Sequence, residues 1–138
     1  MGDIIKTFRV RTRKKERGIL LQFYFDTGLP RTFIRYSVAS SMKGLAELPD
    51  PELFHGFGDG QFVATHIVNI EVNLLNLWVP HICYVVSDAT LDPCYDILLG
   101  HDFMQIYDIQ VKPKKKTVVI DKEALRMALK VRTLRYKA

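Results

Sequence analysis

The chain has 138 residues, 48% of them hydrophobic and 25% charged, which fits one globular domain and excludes general disorder. Because it has no apolar run near the ~20 residues that cross a bilayer, no secretory signal or myristoylation motif, and two cysteines without metal-binding spacing, we expect a cytoplasmic protein without a membrane segment. The net charge of +5 is unevenly distributed. Residues 1–18 carry seven basic and two acidic residues, a charge of +5, and residues 111–138 carry ten basic and two acidic residues, a charge of +8. The middle of the chain, with three basic and eleven acidic residues, has a charge of −8.

The N-terminal part predicts two β-strands joined by a charged hairpin. Apolar and polar residues alternate from Ile5, and the charged residues 11–17 end at a glycine, so residues 1–18 are expected to form a basic strand and hairpin. Residues 19–25 are nearly all apolar β formers, which predicts a central strand packed on both faces.

Proline and glycine punctuate the next part of the chain. Because Pro30 cannot donate to a β-ladder, only a short strand is expected, over residues 32–34. Ser37 is the predicted N-cap of a helix over residues 38–43. Two prolines lie within residues 45–54, which are therefore predicted to be a loop or an irregular crossing.

The second half of the chain predicts further strands and a C-terminal helix. Residues 55–61 place three glycines at alternate positions between β-like stretches, which indicates a flexible hairpin tip. The remaining predicted elements are strands over residues 62–72, 77–86, 95–100, 109–111 and 117–120, a short helix over residues 101–107, and a helix from Lys122 to about Leu134 that Asp121 caps. The fold class is therefore mostly β.

A predicted apolar strand is followed directly by one acidic residue in the sequence Phe23-Tyr24-Phe25-Asp26-Thr27-Gly28. Burying a carboxylate is costly unless it is paired or used, so Asp26 is a candidate for polarising a water molecule. Asp, Thr and Gly are also common turn residues. Taken alone, the tripeptide is open to both interpretations.

Two further motifs in the expected order make the chain resemble the retropepsin-like (retroviral-type) aspartic proteases. Asp26-Thr27-Gly28 is followed by Thr32-x-Ile34, as in the first family signature. About seventy residues later, Leu98-Leu99-Gly100-His101-Asp102 matches the second signature of two apolar residues, glycine, a variable residue, and Asp or Asn. The glycine-rich residues 56–60 between them look like the family's flap. The resemblance covers residues 19–120.

The resemblance implies a single-lobe, closed β-barrel with short helices that acts as a homodimer. It divides the chain into a basic N-terminal strand and hairpin (1–18), the protease domain (19–120) and a basic C-terminal helix (121–138). Peptide hydrolysis of this type uses two carboxylates, and each chain carries one Asp-Thr-Gly. The family chemistry therefore implies a catalytic dyad of two Asp26 residues, one from each subunit.

The resemblance also assigns the neighbouring positions. Thr27 would bond across the two-fold axis, and Gly28 would let a substrate lie close to the dyad. The substrate, an extended peptide or protein, would contact residues of the flap and the subsites: Leu29, Phe57, Gly58, Asp59, Gly60 and Leu99. No cofactor and no metal are implied, and the four histidines show no ligand spacing, so His66 and His81 are interpreted as structural.

Departures from the family pattern keep other functions open. Leu29 and Pro30 stand where the family has Ala and then Asp or Ser, and an ion pair that viral relatives form between the Pro30 and His101 positions cannot form here. A protease-fold interaction module without activity is therefore the alternative. The basic ends could attract nucleic acid or be solvated faces, and a nucleic-acid-binding protein is the third hypothesis, although the acidic middle disfavours it. Asp102 is expected to cap the short helix and not to join catalysis.

Overall fold

The computed structural model describes residues 4–55 and 60–137, with side chains described up to residue 130. Its strands and helices, numbered in chain order, are β1 (Ile5–Arg11), β2 (Ile19–Phe25), β3 (Phe33–Arg35), α1 (Tyr36–Ala39), β4 (Ala46–His55), β5 (Gln61–Leu74), β6 (Leu77–Val86), β7 (Ile97–Leu99), α2 (His101–Ile106), β8 (Ile109–Lys112), β9 (Thr117–Ile120) and α3 (Lys122–Lys137). Short 3₁₀ turns occupy Asp88–Thr90 and Pro113–Lys115. The mostly β expectation is confirmed.

Six strands close into a barrel in the order β1-β2-β7-β3-β6-β5, and β5 pairs back onto β1. Closure comes from Val10, which is paired with Ile19 of β2 on one side and with Val72 of β5 on the other. The β2–β7 and β3–β6 pairs are parallel, and the other pairs of the barrel are antiparallel. Strand β4 pairs with the first part of β5, and β8 and β9 form a separate two-stranded sheet.

Strand β2 is central in the sheet, but its two faces differ. Leu21, Phe23 and Phe25 are buried, whereas Leu20 is 60% exposed. The prediction of a strand packed on both faces is therefore wrong for its first half. A barrel strand turns alternate side chains inward, and in the first half of β2 the side chains of Leu20 and Gln22, on the other face, are exposed.

Residues 45–54 are predicted from the sequence to be a loop or an irregular crossing, and the loop is wrong, because residues 46–54 belong to β4. The pairing of β4 with β5 is interrupted between Glu47 and Glu52, and the two prolines, Pro49 and Pro51, lie within that irregularity. Among the described residues β4 pairs with β5 alone, so it is an edge strand. Prolines are tolerated at edges and bulges because no ladder partner requires their missing N–H groups.

Two apolar clusters fill the molecule. The larger one occupies the barrel and receives Leu125 of α3, which is completely buried, so the C-terminal helix packs against the barrel core. The smaller one is formed around Phe33, whose ring meets those of Phe54 and Phe62 edge to face at 4.9 and 5.0 Å. It thus joins the barrel to the arms of the hairpin that β4 and β5 form. No described helix is long and apolar enough to span a membrane.

The division of the chain at residues 18 and 120 stays a prediction. The pairing of β1 with both β2 and β5 argues against a separate unit over residues 1–18, because without β1 the barrel would lie open. The packing of Leu125 gives the same argument for the C-terminal helix.

Replacement of Val10 by alanine tests whether β1 is integral to the barrel. Val10 is 1% exposed, so Val10→Ala should lower the free energy of unfolding by about 2 kcal/mol through lost burial and a residual cavity. Val63→Ala, at a strand position that is 44% exposed, is the matched control and should cost less than ~1 kcal/mol. Urea unfolding measures both, and equal effects would contradict an integral β1.

Candidate active site

Asp26 lies immediately after β2, where the chain leaves the barrel. Its N–H donates to the carbonyl oxygen of Leu99 at 2.9 Å, which anchors the loop to β7. The N–H of Gly28 donates to Asp26 Oδ1 at 2.9 Å, and a Cβ at Gly28 would lie 3.3 Å from the same oxygen. Asp26-Thr27-Gly28 therefore forms a turn. That turn holds a half-buried carboxylate in one orientation, so the two interpretations of the sequence are compatible.

Asp26 lines an open cavity of about 650 Å³. Most of the wall is apolar or aromatic, and Tyr24 and Tyr95 pack against each other there with ring centroids 5.1 Å apart. Burial is the main cause that raises the pKa of Tyr95, and the charges of Asp92 and Asp26 raise it further. Its phenol therefore stays protonated in a site that already contains carboxylates.

Gly100 brings the second signature against the Asp26 loop. A Cβ on Gly100 would collide with the carbonyl oxygen of Arg31, so this close backbone approach requires glycine. The next residue, His101, donates its N–H to the carbonyl oxygen of Leu29 at 2.6 Å. A backbone hydrogen bond thus joins the Asp26 loop to the loop of the second signature.

A chain of side-chain hydrogen bonds runs behind these loops. Gly100 N–H donates to Thr32 Oγ1 at 3.1 Å, and Thr32 Oγ1 donates to Asp102 Oδ1 at 2.8 Å. His81 Nε2 lies 2.9 Å from Asp102 Oδ2. Thr32 is completely buried, and the side chains of His81 and Asp102 are only 10% and 15% exposed. The network connects β6, α2 and the loop after Asp26.

The network explains two sequence interpretations. The expectation that Asp102 caps the short helix is wrong, because Gly100 is the N-cap of α2 and Asp102 lies in its first turn. There Asp102 accepts the N–H of Phe103 at 2.9 Å, and its contacts with Thr32 and His81 make it the centre of the network. Burial alone would raise the pKa of Asp102, but the hydrogen bond and charge of His81, with the bonds from Thr32 and Phe103, lower it overall. His81 therefore has a structural partner, as its strand position indicated.

The structure places the predicted substrate-binding residues at different depths. Leu29 is 9% exposed and belongs to the smaller apolar cluster, whereas Leu99 is 2% exposed and belongs to the barrel core. The β7 residue that lines the cavity is Leu98, because neighbouring strand residues face opposite sides. Leu99 contributes its carbonyl oxygen to Asp26 instead.

The remaining predicted positions lie at the surface or outside the described residues. Thr27 is exposed, and no hydrogen bond of its side chain is found within the described part of one chain. Gly60 is exposed and directly precedes β5. The predicted flap residues Phe57, Gly58 and Asp59 lie outside the described residues. In residues 4–55 and 60–130, no three His, Cys, Asp or Glu side chains converge in a way that could hold a metal ion.

No protein-family model and no curated protein sequence matches the chain. Among solved structures, it is similar to the retroviral protease-like domain of Ddi1 from Leishmania major, with a TM-score of 0.57 and 16% identity over 83% of this chain and 86% of that one. It is also similar to EIAV protease complexed with the inhibitor HBY-793, with a TM-score of 0.56 and 12% identity over 75% of this chain and 86% of that one. The fold is therefore retropepsin-like, and the resemblance is confirmed at that level.

The lowered pKa of Asp102 predicts a pH-dependent contribution to stability. Because the folded pKa lies below the ordinary value near ~4, the contribution is complete above pH ~4 and is lost as the pH falls through the folded pKa. Asp102→Asn removes the charge but keeps the shape, and should lower the free energy of unfolding by about 1–3 kcal/mol at pH 6.

Urea unfolding between pH 6 and pH 2 checks this expectation. The difference between the native chain and Asp102→Asn should shrink as the pH falls, because Asp102 becomes protonated in the native chain. Asp50→Asn makes the same charge change at an exposed position of β4 and is the control. A difference that stays constant over the whole range would contradict the assignment.

Proposed function

We propose that the protein is a homodimeric aspartic endopeptidase in which two Asp26 carboxylates, one from each subunit, activate a water molecule for attack on a peptide bond. The observation that carries this proposal is the position of Asp26: a carboxylate held by Gly28 that lines an open cavity, in a loop anchored to the second signature. The retropepsin-like fold supports it. The fold comparisons support a protein with a protease fold, and the catalytic activity is our proposal.

The chemistry requires a second carboxylate. Two carboxylates ~3 Å apart cannot both ionise, so they share one proton, and one acts as general base while the other acts as general acid. Among the described residues of one chain, Asp92 is the other acid that lines the cavity. It accepts the N–H of Cys94 at 2.8 Å, and hydrogen bonding from Cys94 lowers its pKa, which suits an ionised acceptor and not a proton-sharing partner. A second copy of Asp26 is the better source.

The substitutions at Leu29 and Pro30 are compatible with activity. Leu29 donates its N–H to the carbonyl oxygen of Asp26 at 3.3 Å and packs its side chain into the smaller apolar cluster. Pro30 is exposed, so the N–H group that proline lacks is not needed for a hydrogen bond within the protein. Neither residue displaces the Asp26 carboxylate from its bond with Gly28. This favours the protease over the inactive interaction module.

The cavity walls indicate the kind of peptide that would bind. Most of the lining residues, among them the half-buried Tyr24 and the exposed Ala89 and Pro93, are apolar or aromatic, and such a wall would take a large apolar side chain next to the scissile bond. An extended substrate would lie along it, and the predicted flap residues would close over the peptide. The cytoplasmic location and the role of the basic ends stay predictions.

Asp26→Asn tests the catalytic role directly. The amide keeps the bond from Gly28 but cannot act as a base, so kcat/KM for cleavage of an unfolded protein substrate between pH 4 and 7 should fall at least about a thousandfold. Fold and dimerisation should be retained, as measured by circular dichroism and sedimentation. Asp50→Asn is the charge-matched control and should cleave normally. Undiminished cleavage by Asp26→Asn would remove the assignment.

A mixing experiment tests whether the site is shared between two chains. When equal amounts of native and Asp26→Asn chains exchange subunits freely, only about a quarter of the dimers contain two aspartates. The cleavage rate should therefore fall to about a quarter of that of the same total amount of native chain. A fall to only one half would show that each chain works alone.

A further inference from the structure

The segment between β6 and β7 forms one side of the Asp26 cavity. Residues 89–95 contribute seven of the eleven residues that line it. Apart from the 3₁₀ turn at Asp88–Thr90, the segment has no regular secondary structure. Two of its side chains, Leu91 and Tyr95, are buried in the smaller apolar cluster. A wall without ladder pairing needs other contacts to keep its shape.

Arg35, the last residue of β3, supplies those contacts. Its Nη2 donates to the carbonyl oxygens of Asp92 at 2.6 Å and Tyr95 at 2.5 Å. Its Nη1 donates to the carbonyl oxygen of Asp88 at 3.4 Å and lies 3.9 Å from the Asp88 carboxylate. The Arg35 side chain is only 11% exposed. One guanidinium thus binds three carbonyl groups that are spread along the whole segment.

The ends of the segment are held by the same corner of the barrel. The backbone N–H of Arg35 donates to the carbonyl oxygen of Asp96 at 3.2 Å, and the N–H of Ser37 donates to Asp88 Oδ1 at 2.9 Å. Charge-assisted hydrogen bonds are stronger than neutral ones, and the planar fork of arginine can serve several acceptors at once. A lysine at this position could not reach all three carbonyl groups in the same geometry.

The position of Arg35 separates binding from chemistry. Every hydrogen bond and ion pair described for its guanidinium is with the segment, and none is with Asp26 or with the loop that holds it. Because this wall is already ordered before the substrate binds, the binding free energy is not reduced by the entropic cost of ordering it. Loss of the contacts would therefore weaken the binding of a side chain in the cavity and leave the carboxylates in place.

We propose that Arg35 is a positioning residue that holds residues 88–95 in the shape that receives a large apolar side chain of the substrate next to the scissile bond. The proposal rests on the proposed endopeptidase function, because it specifies the substrate preference of that site. Arg35 acts through the segment and does not touch the reacting atoms.

Steady-state kinetics of Arg35→Met and Arg35→Lys test the proposal with two peptides that differ only in phenylalanine or alanine at the residue before the scissile bond. For the phenylalanine peptide, KM should rise about tenfold in Arg35→Met while kcat stays within about twofold. For the alanine peptide, KM should change much less, because a small side chain makes few contacts with the wall. Arg35→Lys should resemble Arg35→Met.

Arg9→Met is the matched control, since exposed Arg9 of β1 also donates to one backbone carbonyl, that of Gly18 at 3.2 Å. It should leave both peptides unaffected. An equal loss for both peptides in Arg35→Met, or full activity of Arg35→Lys, would overturn the proposal. If Arg35→Met does not fold, Arg35→Lys decides between these outcomes.

Hydrogen exchange separates this proposal from the proposed function, because it needs no activity. The N–H groups of Leu91 and Cys94 are bonded within the segment, to the Asp88 carbonyl oxygen and to Asp92 Oδ1. In Arg35→Met they should exchange about tenfold faster, while amides of β2 keep their rates. If the native chain cleaves nothing, the endopeptidase proposal fails, and unchanged exchange at these amides would then overturn the role of Arg35 as well.

Discussion

The site depends on the close approach of two backbone segments, at Gly100 and at the carbonyl oxygen of Arg31. Glycine is required there because any Cβ would meet that carbonyl group. The parallel pairing of β2 with β7 places Phe25 beside Leu99, so the residues that follow, Asp26 and Gly100, leave the barrel side by side. The Asp26 N–H bond to Leu99 and the Gly100 N–H bond to Thr32 then join into one unit two loops that lie about seventy residues apart in sequence.

The barrel accounts for what this unit can do. Strand β7 lies between β2 and β3, and its residue Leu98 lines the cavity, while Arg35 at the end of β3 binds the segment that forms one side of it. The carboxylate and the wall are thus supported by different elements. Such a division lets the loop with Asp26 stay constant while the residues of the wall vary, which is how one fold carries many substrate preferences.

The sequence predicts the parts of this site that depend on local chemistry. Periodicity indicated most strands, and the two glycine signatures indicated the loops that meet. It did not distinguish Leu98 from Leu99, because a three-residue strand of apolar residues has no alternation from which to read its faces. It also missed β4, where edge pairing tolerates proline, and it missed Arg35, whose carbonyl partners lie more than fifty residues away and carry no side-chain signal.

The pairing of His81 with Asp102 has a consequence for the proposed chemistry. A dyad of carboxylates works where it holds one proton, which places activity in the acidic to neutral range. In that range an ordinary buried carboxyl group begins to protonate, and a scaffold built on it would loosen. Because its hydrogen bonds lower the pKa of Asp102, the network behind Thr32 keeps its charge to a lower pH than an unbonded aspartate would. The hydrogen bonds that support the Asp26 loop therefore persist further into the acidic range than those of an ordinary aspartate would.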